Sequence, residues 1–298
     1  MSYCTLADAI RHLRAGKSSA NLAQAVESGV LLAMIRRTPR IDNMFTRRGW
    51  RYFEPNIDTV AFELRADMIN SIHGRLALPD PLLELTGVKV GGTEVSEASL
   101  LPHGVTAGLP TPYWALYLNS ACKTWYSAAN CNPAYCLPSA VWVQVSGTWG
   151  MSREYATAWQ DEDNVQIGIS AAATTITVAD ADGLNYESET PRFSPGQLLK
   201  INSEYMRIDA VDETANELTV RRARNGSTAA THSIDDTIYV WYPDRGIREE
   251  YARQAAMWYS RIGSFNTAEI NAITGGEVRF PSDLMASLKS ALQGYIYG

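Results

Sequence analysis

At 298 residues the chain is long enough for about two domains, with cores that need no disulfide or metal to hold them. Hydrophobic residues make up 46% and charged residues 19%, with 8 Trp and 15 Tyr, which excludes a disordered or fibrous chain. The net charge of −6 excludes a wholly basic surface for gripping nucleic acid, and no apolar run approaches the roughly 20 residues that cross a membrane.

The first predicted elements are two helices. Residues 5–15 begin with Thr5 and Asp8, which match a capping box, and end at Gly16. The second helix covers about residues 18–37 and is apolar over more than one face. We therefore expect it to be buried or to lie at an interface.

The next part of the chain changes to the period-two alternation of β-strands. One strand is predicted at Val60–Leu64, and two more lead through Pro79 to a hairpin at Gly91-Gly92. Aromatic strands follow at 113–118 and 141–149, with a cysteine-containing loop between them. These segments predict a small antiparallel subdomain.

Residues 160–164 are polar and predict a hinge, after which the chain alternates in short strands divided by turn residues. After a strand at Thr175–Val178, the apolar pairs that mark the strands are Leu199 and Ile201, Met206 and Ile208, Leu218 and Val220, and Ile238 and Val240. This pattern predicts an antiparallel barrel or sandwich. A helix is then predicted from Pro243-Asp244, and a last helix is capped by Ser282 or Asp283.

Patterns that supply nucleophiles or metal ligands are incomplete. Gly16-Lys17-Ser18 matches the end of a P-loop, but Arg11 stands where the motif needs its first glycine, so a helix-helix turn is favoured. The thiols of Cys122, Cys131 and Cys136 suit zinc, yet no Cys-x-x-Cys pair or nearby histidine accompanies them. Structural or idle thiols are therefore favoured. We expect them to be reduced in a protein made in the cytosol, because no apolar signal region opens the chain.

Three acidic pairs have the residue types that bind calcium or flank a glycosidic bond: Asp161 with Asp163, Asp180 with Asp182, and Asp235 with Asp236. Each pair lies in a turn context, where Asp accepts hydrogen bonds from the nearby backbone, so turn stabilisation is the favoured interpretation. Asn225-Gly226-Ser227 matches a glycosylation acceptor and is likewise interpreted as a turn.

Two features suggest contacts with partners. Six arginines within sixteen residues can bind phosphates or an acidic partner surface, the alternative being a solvated or internally paired face: Arg36, Arg37, Arg40, Arg47, Arg48 and Arg51. Termini usually end polar and loose, whereas this chain ends with Tyr295, Ile296 and Tyr297. We interpret that tail as a docking arm, the alternative being packing on its own domain.

We name the β-rich residues 163–242 the cassette. The sequence segments outside it follow one another in a recognisable order: residues 3–13, the second helix to Arg37, Arg51-Tyr52-Phe53, 75–92, 145–150, 155–159, 247–262, and 280–288 with the short tail. In this order they resemble the head-tail adaptor (connector or neck) family of tailed bacteriophages. The cassette resembles a β domain inserted in phage structural proteins, on the residues Pro195-Gly196, Ile201, Glu204, Met206, Leu218-Thr219-Val220 and Arg222.

The resemblance predicts an α+β fold, a helical adaptor body with a small antiparallel β subdomain, interrupted by an inserted all-β barrel or sandwich domain. The body would comprise residues 1–162 with 243–298, and the insertion residues 163–242.

The resemblance also implies a function. The chain would be a non-enzymatic virion protein with no cofactor or metal, made in the host cytoplasm and located at the neck. Its copies would form a ring, a dodecamer in similar adaptors, between the portal and the tail or a second neck protein, with DNA passing through the lumen and no membrane contact.

Two alternatives remain open at this point. The cassette could be a carbohydrate- or receptor-binding module that uses exposed aromatic side chains. The second alternative is a hydrolase that works through Asp235 and Asp236.

Overall fold

A computed structural model describes residues 3–14, 30–35, 52–65, 68–70, 75–96, 100–103, 112–118, 141–273 and 290. The chain divides into two compact units. One comprises Phe53–Thr157, and the other joins Met1–Tyr52 to Ala158–Gly298.

The unit Phe53–Thr157 is built on a seven-stranded antiparallel sheet. Its strands are β1 (Asn56–Glu63), β2 (Ile69–Asn70), β3 (Arg75–Val90), β4 (Thr93–Val95), β5 (Leu100–His103), β6 (Tyr113–Leu118) and β7 (Trp142–Trp149). The order is β1-β7-β3-β6-β5, with β2 and β4 also paired to β3. Alternate side chains bury one face of the sheet in a core that includes Leu76, Val88, Leu116, Val145 and Trp149.

The long strand β3 continues through two prolines, where the sequence predicted a break. Its pairing with β6 shifts register between Ala77 and Leu82, so the segment containing Pro79 and Pro81 has no ladder partner in β6. Proline lacks the N–H that a ladder needs, and a register irregularity removes that need. The carbonyl of Pro81 is not left without a donor, because it accepts a hydrogen bond from the N–H of Gly150 at 3.1 Å.

The predicted hairpin at Gly91-Gly92 is confirmed. Val90 pairs with Thr93, which leaves these two glycines as the loop between β3 and β4. Their φ angles are 56° and 82°, and a two-residue turn of this kind needs positive φ at both central positions.

The second unit contains a six-stranded antiparallel sheet. Its strands are β8 (Trp159–Asn164), β9 (Thr175–Thr177), β10 (Leu198–Ile201), β11 (Glu204–Asp212), β12 (Glu217–Arg221) and β13 (Thr237–Trp241), in the order β8-β13-β10-β11-β12-β9. The sheet curls so that its two edge strands, β8 and β9, approach each other. The N–H of Gln166, just after β8, donates to the carbonyl of Thr177 in β9 at 2.9 Å. The apolar pairs predicted as strands lie in its core, with Ile201, Met206, Ile208, Val220 and Val240 almost fully buried.

The helices of the described residues are α1 (Leu6–Arg14), α2 (Val30–Ile35), α3 (Tyr155–Ala158) and α4 (Arg245–Ile273). The predicted capping box is confirmed: the N–H of Thr5 donates to Asp8 Oδ2 at 2.7 Å, and the N–H of Asp8 donates to Thr5 Oγ1 at 3.1 Å. The predicted stripe of α4 is buried at Ile247 and Tyr251, and the ring of Tyr251 packs edge-on against Tyr3 at 4.9 Å. No helix in the described part of the chain is long and apolar enough to span a membrane.

The predicted α+β class with a helical adaptor body is wrong. The described residues are mostly β, in two antiparallel sheets, and a helical body is not seen among them. The alternating segments before residue 150 form a seven-stranded sheet with its own core, where the sequence suggested only a small subdomain.

The predicted hinge at residues 160–164 is also wrong, because this segment forms most of strand β8. Its carboxylates have partners far along the chain: Glu162 accepts the N–H of Tyr186, and Asp163 accepts a hydrogen bond from Arg192. Of the predicted second helix, the described part is helical; the cysteine loop and the last predicted helix lie outside the described residues, apart from residue 290.

Candidate functional site

The residues predicted to contact partners lie outside the part of the chain that the structure describes. This applies to the tail, Tyr295, Ile296 and Tyr297, and to the arginines Arg36, Arg37, Arg40, Arg47, Arg48 and Arg51. It also applies to Gly16-Lys17-Ser18 and to the three cysteines considered for zinc. Both sets of contact residues therefore stay predictions.

Asp236 and Asp180 stabilise turns, as predicted, whereas Asp161 and Asp163 lie on strand β8. Asp236 Oδ2 accepts the N–H of Ser233 at 2.9 Å and the side-chain amide of Asn202 at 3.0 Å. Asp180 Oδ1 accepts the N–H of Gly183 at 3.0 Å, and Asp163 accepts the N–H of Asp180 at 3.1 Å. The carboxylates of Asp236, Asp180 and Asp163 therefore accept hydrogen bonds from backbone N–H groups, and the hydrolase that would use Asp235 and Asp236 stays a hypothesis.

A buried cluster around Glu204 joins β11 to the segment after β12. Arg222 donates to both carboxylate oxygens of Glu204, from Nε at 2.8 Å and from Nη2 at 2.7 Å. The backbone N–H groups of Ala223 and Ala230 donate to the same carboxylate at 3.1 and 2.9 Å, and His232 Nε2 lies 3.0 Å from Oε2. The Glu204 side chain is fully buried.

The electrostatics of this cluster follow from its hydrogen bonds. Burial by itself raises the pKa of Glu204, but the bonds from Arg222, from the Ala230 N–H, from His232 and from the Ala223 N–H outweigh it and lower that pKa to about 2. A carboxylate with this many donors has no free lone pair to act as a base. The cluster fixes the chain from residue 222 to 232 onto the sheet.

Glu204 and Arg222 are among the residues that carry the resemblance of the cassette, whereas His232 was not singled out in the sequence. Its 28-residue separation from Glu204 gives no spacing signal, because the contact depends on the path of the chain between the strands. The side chain is almost completely buried, and its Nδ1 lies 3.7 Å from Asp236 Oδ2.

A second charged cluster connects the cassette to two helices. Residues 182–190, which we name the strap, present Glu187 and Glu189. Arg248 of α4 pairs with Glu187 and contacts Asp8 of α1 at 3.3 Å, and Arg11 of α1 pairs with Glu189 and contacts Asp8 at 3.2 Å. The side chains of Arg248 and Asp8 are only 7% and 5% exposed, so the ion pair between them lies largely out of water, whereas Arg11 is 46% exposed.

Oxygen atoms of Asp8, Glu187 and Glu189 lie within 4.8 Å of one another, a spacing that suits a cation. The guanidinium groups of Arg11 and Arg248 already contact all three carboxylates. The arrangement is therefore a network of ion pairs, and a metal ion would compete with two fixed positive charges.

Glu162 on β8 forms a further contact with the strap. Its carboxylate accepts the N–H of Tyr186, at 3.0 and 3.1 Å to the two oxygens, and the hydroxyl of Tyr242. Burial raises the pKa of Glu162 despite these bonds. The guanidinium of Arg248 stands over the ring of Tyr242, 5.3 Å from its centre, which links this contact to the ion-pair network.

The aromatic side chains of the cassette are mostly buried. Phe193, Tyr205, Trp241 and Tyr242 lie inside, whereas Tyr186 is 62% exposed. Sugar-binding platforms need several aromatic faces open to solvent, and the described cassette does not present such a set. In the other unit, Trp142 on β7 is 52% exposed.

Comparison with known proteins gives no identification. No protein-family model matches the chain, and no curated protein matches it.

Proposed function

We propose that the chain is a structural virion protein, a head-to-tail adaptor. Its copies form a ring between the portal and the tail or a second neck protein, and the lumen of the ring lets DNA pass without sequence-specific binding.

The observation that carries this proposal is the ordered series of phrases that resembles the adaptor family, together with the cassette phrases. Two residues of the cassette phrases, Glu204 and Arg222, meet in one buried hydrogen-bonded cluster. The residues behind the cassette resemblance are thus parts of a single folded unit, which supports reading the phrases together.

The chemistry of the described residues is consistent with a structural role. The charged clusters around Glu204 and Arg248 are engaged by internal partners, and they tie segments of the chain together. A net charge of −6 suits a channel through which DNA slides, because dense contacts from Lys and Arg to phosphate would hold the DNA in place.

The assembly contacts are proposed at the two features named from the sequence. Tyr295, Ile296 and Tyr297 dock on the portal, and the arginines between Arg36 and Arg51 contact phosphate or a neighbouring ring. A single docking arm worth ~4 kcal/mol binds at only about millimolar affinity, but many copies in one ring raise the effective concentration and make attachment firm.

The proposal is tested by removing residues 295–298. We expect the truncated protein to fold with an unchanged circular dichroism spectrum and to lose co-sedimentation with portal rings, because the docking side chains are gone. A second variant carries the same four residues in the order Gly-Tyr-Tyr-Ile, which keeps the length and composition of the tail. It should also fail to attach, because docking depends on the order of the side chains.

Full attachment of the truncated protein would contradict the docking role. Binding of the intact chain to glycans, with no attachment to portal, would favour the receptor-binding alternative for the cassette.

A further inference from the structure

The strap is a preformed loop that projects two carboxylates. The side-chain oxygen Oδ1 of Asn185 accepts the N–H groups of Glu187 and Glu189, each at 2.9 Å, and the N–H of Asn185 donates to the Glu189 carbonyl at 2.8 Å. These bonds are internal to the strap, so its shape does not depend on its contacts with the helices.

Apolar burial contributes little to holding the strap on the helices. Leu184 is 58% exposed and Tyr186 is 62% exposed, so the large apolar side chains of the strap face solvent. Its contacts with the rest of the unit are mainly polar: the bond from Tyr186 to Glu162, the bond from Arg192 Nε to the Leu184 carbonyl, and the ion pairs made by Glu187 and Glu189. The Tyr186 ring also lies 6.2 Å from the ring of Tyr242.

The charges at this attachment do not balance. In the part of the chain that the structure describes, three carboxylates, Asp8, Glu187 and Glu189, face two guanidinium groups, Arg11 and Arg248. Arg11 is further shared with Glu249 of α4, whose carboxylate lies 3.6 Å from it. In addition, Oε2 of Glu189 is inaccessible to solvent and has no hydrogen-bond partner among the described residues.

We propose that the strap docks on α1 and α4 with the uptake of one proton, which is shared among these three carboxylates and lets Glu189 donate a hydrogen bond to one of the other two. The proton comes from solvent and returns there when the strap opens. Docking then cancels the excess negative charge and gives the isolated Glu189 oxygen a partner.

The direction of the pH effect follows from the docked geometry. Burial raises the pKa of Glu189, and the neighbouring guanidinium of Arg11 opposes that change only in part. The docked strap therefore holds its proton more tightly than the open strap, where Glu189 is in water. Docking is strongest in mild acid and weakens as pH rises through the docked-state pKa.

Other charged groups surround the attachment. His12 of α1 lies 3.0 Å from Glu249, and Arg245 lies 4.0 Å from the same residue. Glu162 also has a raised pKa because it is buried, so its effect has the same sign as that of Glu189. Variants of the strap carboxylates separate the two contributions.

The test is hydrogen exchange of the full-length protein, measured for the peptide covering residues 182–190 between pH 4.5 and 7.5 and corrected for the intrinsic pH dependence. The N–H of Tyr186, which donates to Glu162 across the attachment, reports opening of the strap. We expect its protection to fall as pH rises, by at most about tenfold per pH unit, the limit for one proton.

Glu189→Gln should reduce this slope to the part contributed by Glu162 and should keep the strap more protected than in the wild type at pH 7.5, because the amide carries no charge and supplies a donor. Glu213→Gln, an exposed residue of another loop in the same unit, is the matched control and should keep the wild-type slope. If Glu189→Gln unfolds, Glu187→Gln gives the same test, since it also leaves two carboxylates for two guanidinium groups.

A wild-type profile that is flat or of opposite sign would overturn the proposal, as would an unchanged slope in the variant that folds. Calcium added at pH 7.5 should leave the protection unchanged. If calcium restored the protection, a bound cation, and not a proton, would balance the charge of the three carboxylates, and the proposal would be overturned. None of these outcomes depends on ring formation, so the proposed function and this inference are tested separately.

Discussion

Glu204 shows how a single buried charge can organise a β unit. Its pKa falls from the ordinary 4.5 to about 2 because the hydrogen bonds outweigh burial. A carboxyl group whose pKa is lowered by folding stabilises the fold above its unfolded pKa, and that stabilisation disappears as pH falls through the folded value. The unit should therefore lose stability between about pH 4.5 and pH 2.

Replacing this residue tests the same point. Glu204→Gln should lower the free energy of unfolding by about 3 kcal/mol, the equivalent of the pKa change, because an amide cannot accept both bonds from Arg222. Glu217→Gln, exposed on β12, is the control and should change it by less than about 0.5 kcal/mol. Urea titration followed by tryptophan fluorescence measures both; equal effects of the two variants would contradict the role of the cluster.

Gly147 makes a second residue-scale prediction, in the other sheet. A Cβ at this position would lie 2.1 Å from the carbonyl oxygen of Glu84, so the backbone of β3 or β7 would have to move. A Cβ at Gly87 would meet nothing within 4 Å.

Gly147→Ala should therefore destabilise the sheet by at least about 2 kcal/mol, whereas Gly87→Ala should be neutral or slightly stabilising. Hydrogen exchange of β3 and β7 measures the difference. Equal protection in the two variants would show that the strands are not packed at this separation.

At the scale of elements, Arg248 holds three segments together: α4, which carries it, α1 through Asp8, and the strap through Glu187. Removing one partner of a buried ion pair leaves an uncompensated charge, which typically costs about 3–5 kcal/mol. The energetic role of this network is therefore concentrated in one side chain.

Arg248→Met should lower the stability of the unit by about 3 kcal/mol or more. Arg245→Met, three residues earlier on the same helix, is the control, because the Arg245 side chain is 80% exposed and an exposed ion pair contributes at most about 1 kcal/mol. The melting temperatures of the two variants provide the comparison, and a shift of similar size in both would exclude a special contribution from the buried network.

The elements also show what the sequence could reveal. Local signals were sufficient for the capping box of Thr5 and Asp8, for the hairpin at Gly91-Gly92 and for the apolar strands of the cassette, because each depends on residues a few positions apart. The polar run at 160–164 was misread as a hinge, since the groups that bind its carboxylates are far away in the chain.

The clusters were less predictable for the same reason. Glu204 and Arg222 were noticed through resemblance, but nothing in the sequence placed His232 on the same carboxylate. Strap residues Glu187 and Glu189 carried no signal at all, because their partners are on helices more than fifty residues away. The fold class failed where strands thought to be minor proved to form a complete sheet.

At the scale of the whole molecule, the proposed ring assigns the contacts between subunits to surfaces and arms, while the buried charges hold each subunit together. Heterologous contacts repeated around an axis close into a ring, and exposed large side chains such as Trp142 are of the type that such contacts bury. We therefore expect the purified protein to have the mass of a closed ring of subunits.

The most direct test of the proposed ring is native mass spectrometry of the purified protein, with electron-microscope images taken with and without portal. We predict a closed ring of a single copy number that stacks on the portal. A protein that stays monomeric at assembly concentrations and ignores the portal would contradict the proposed function.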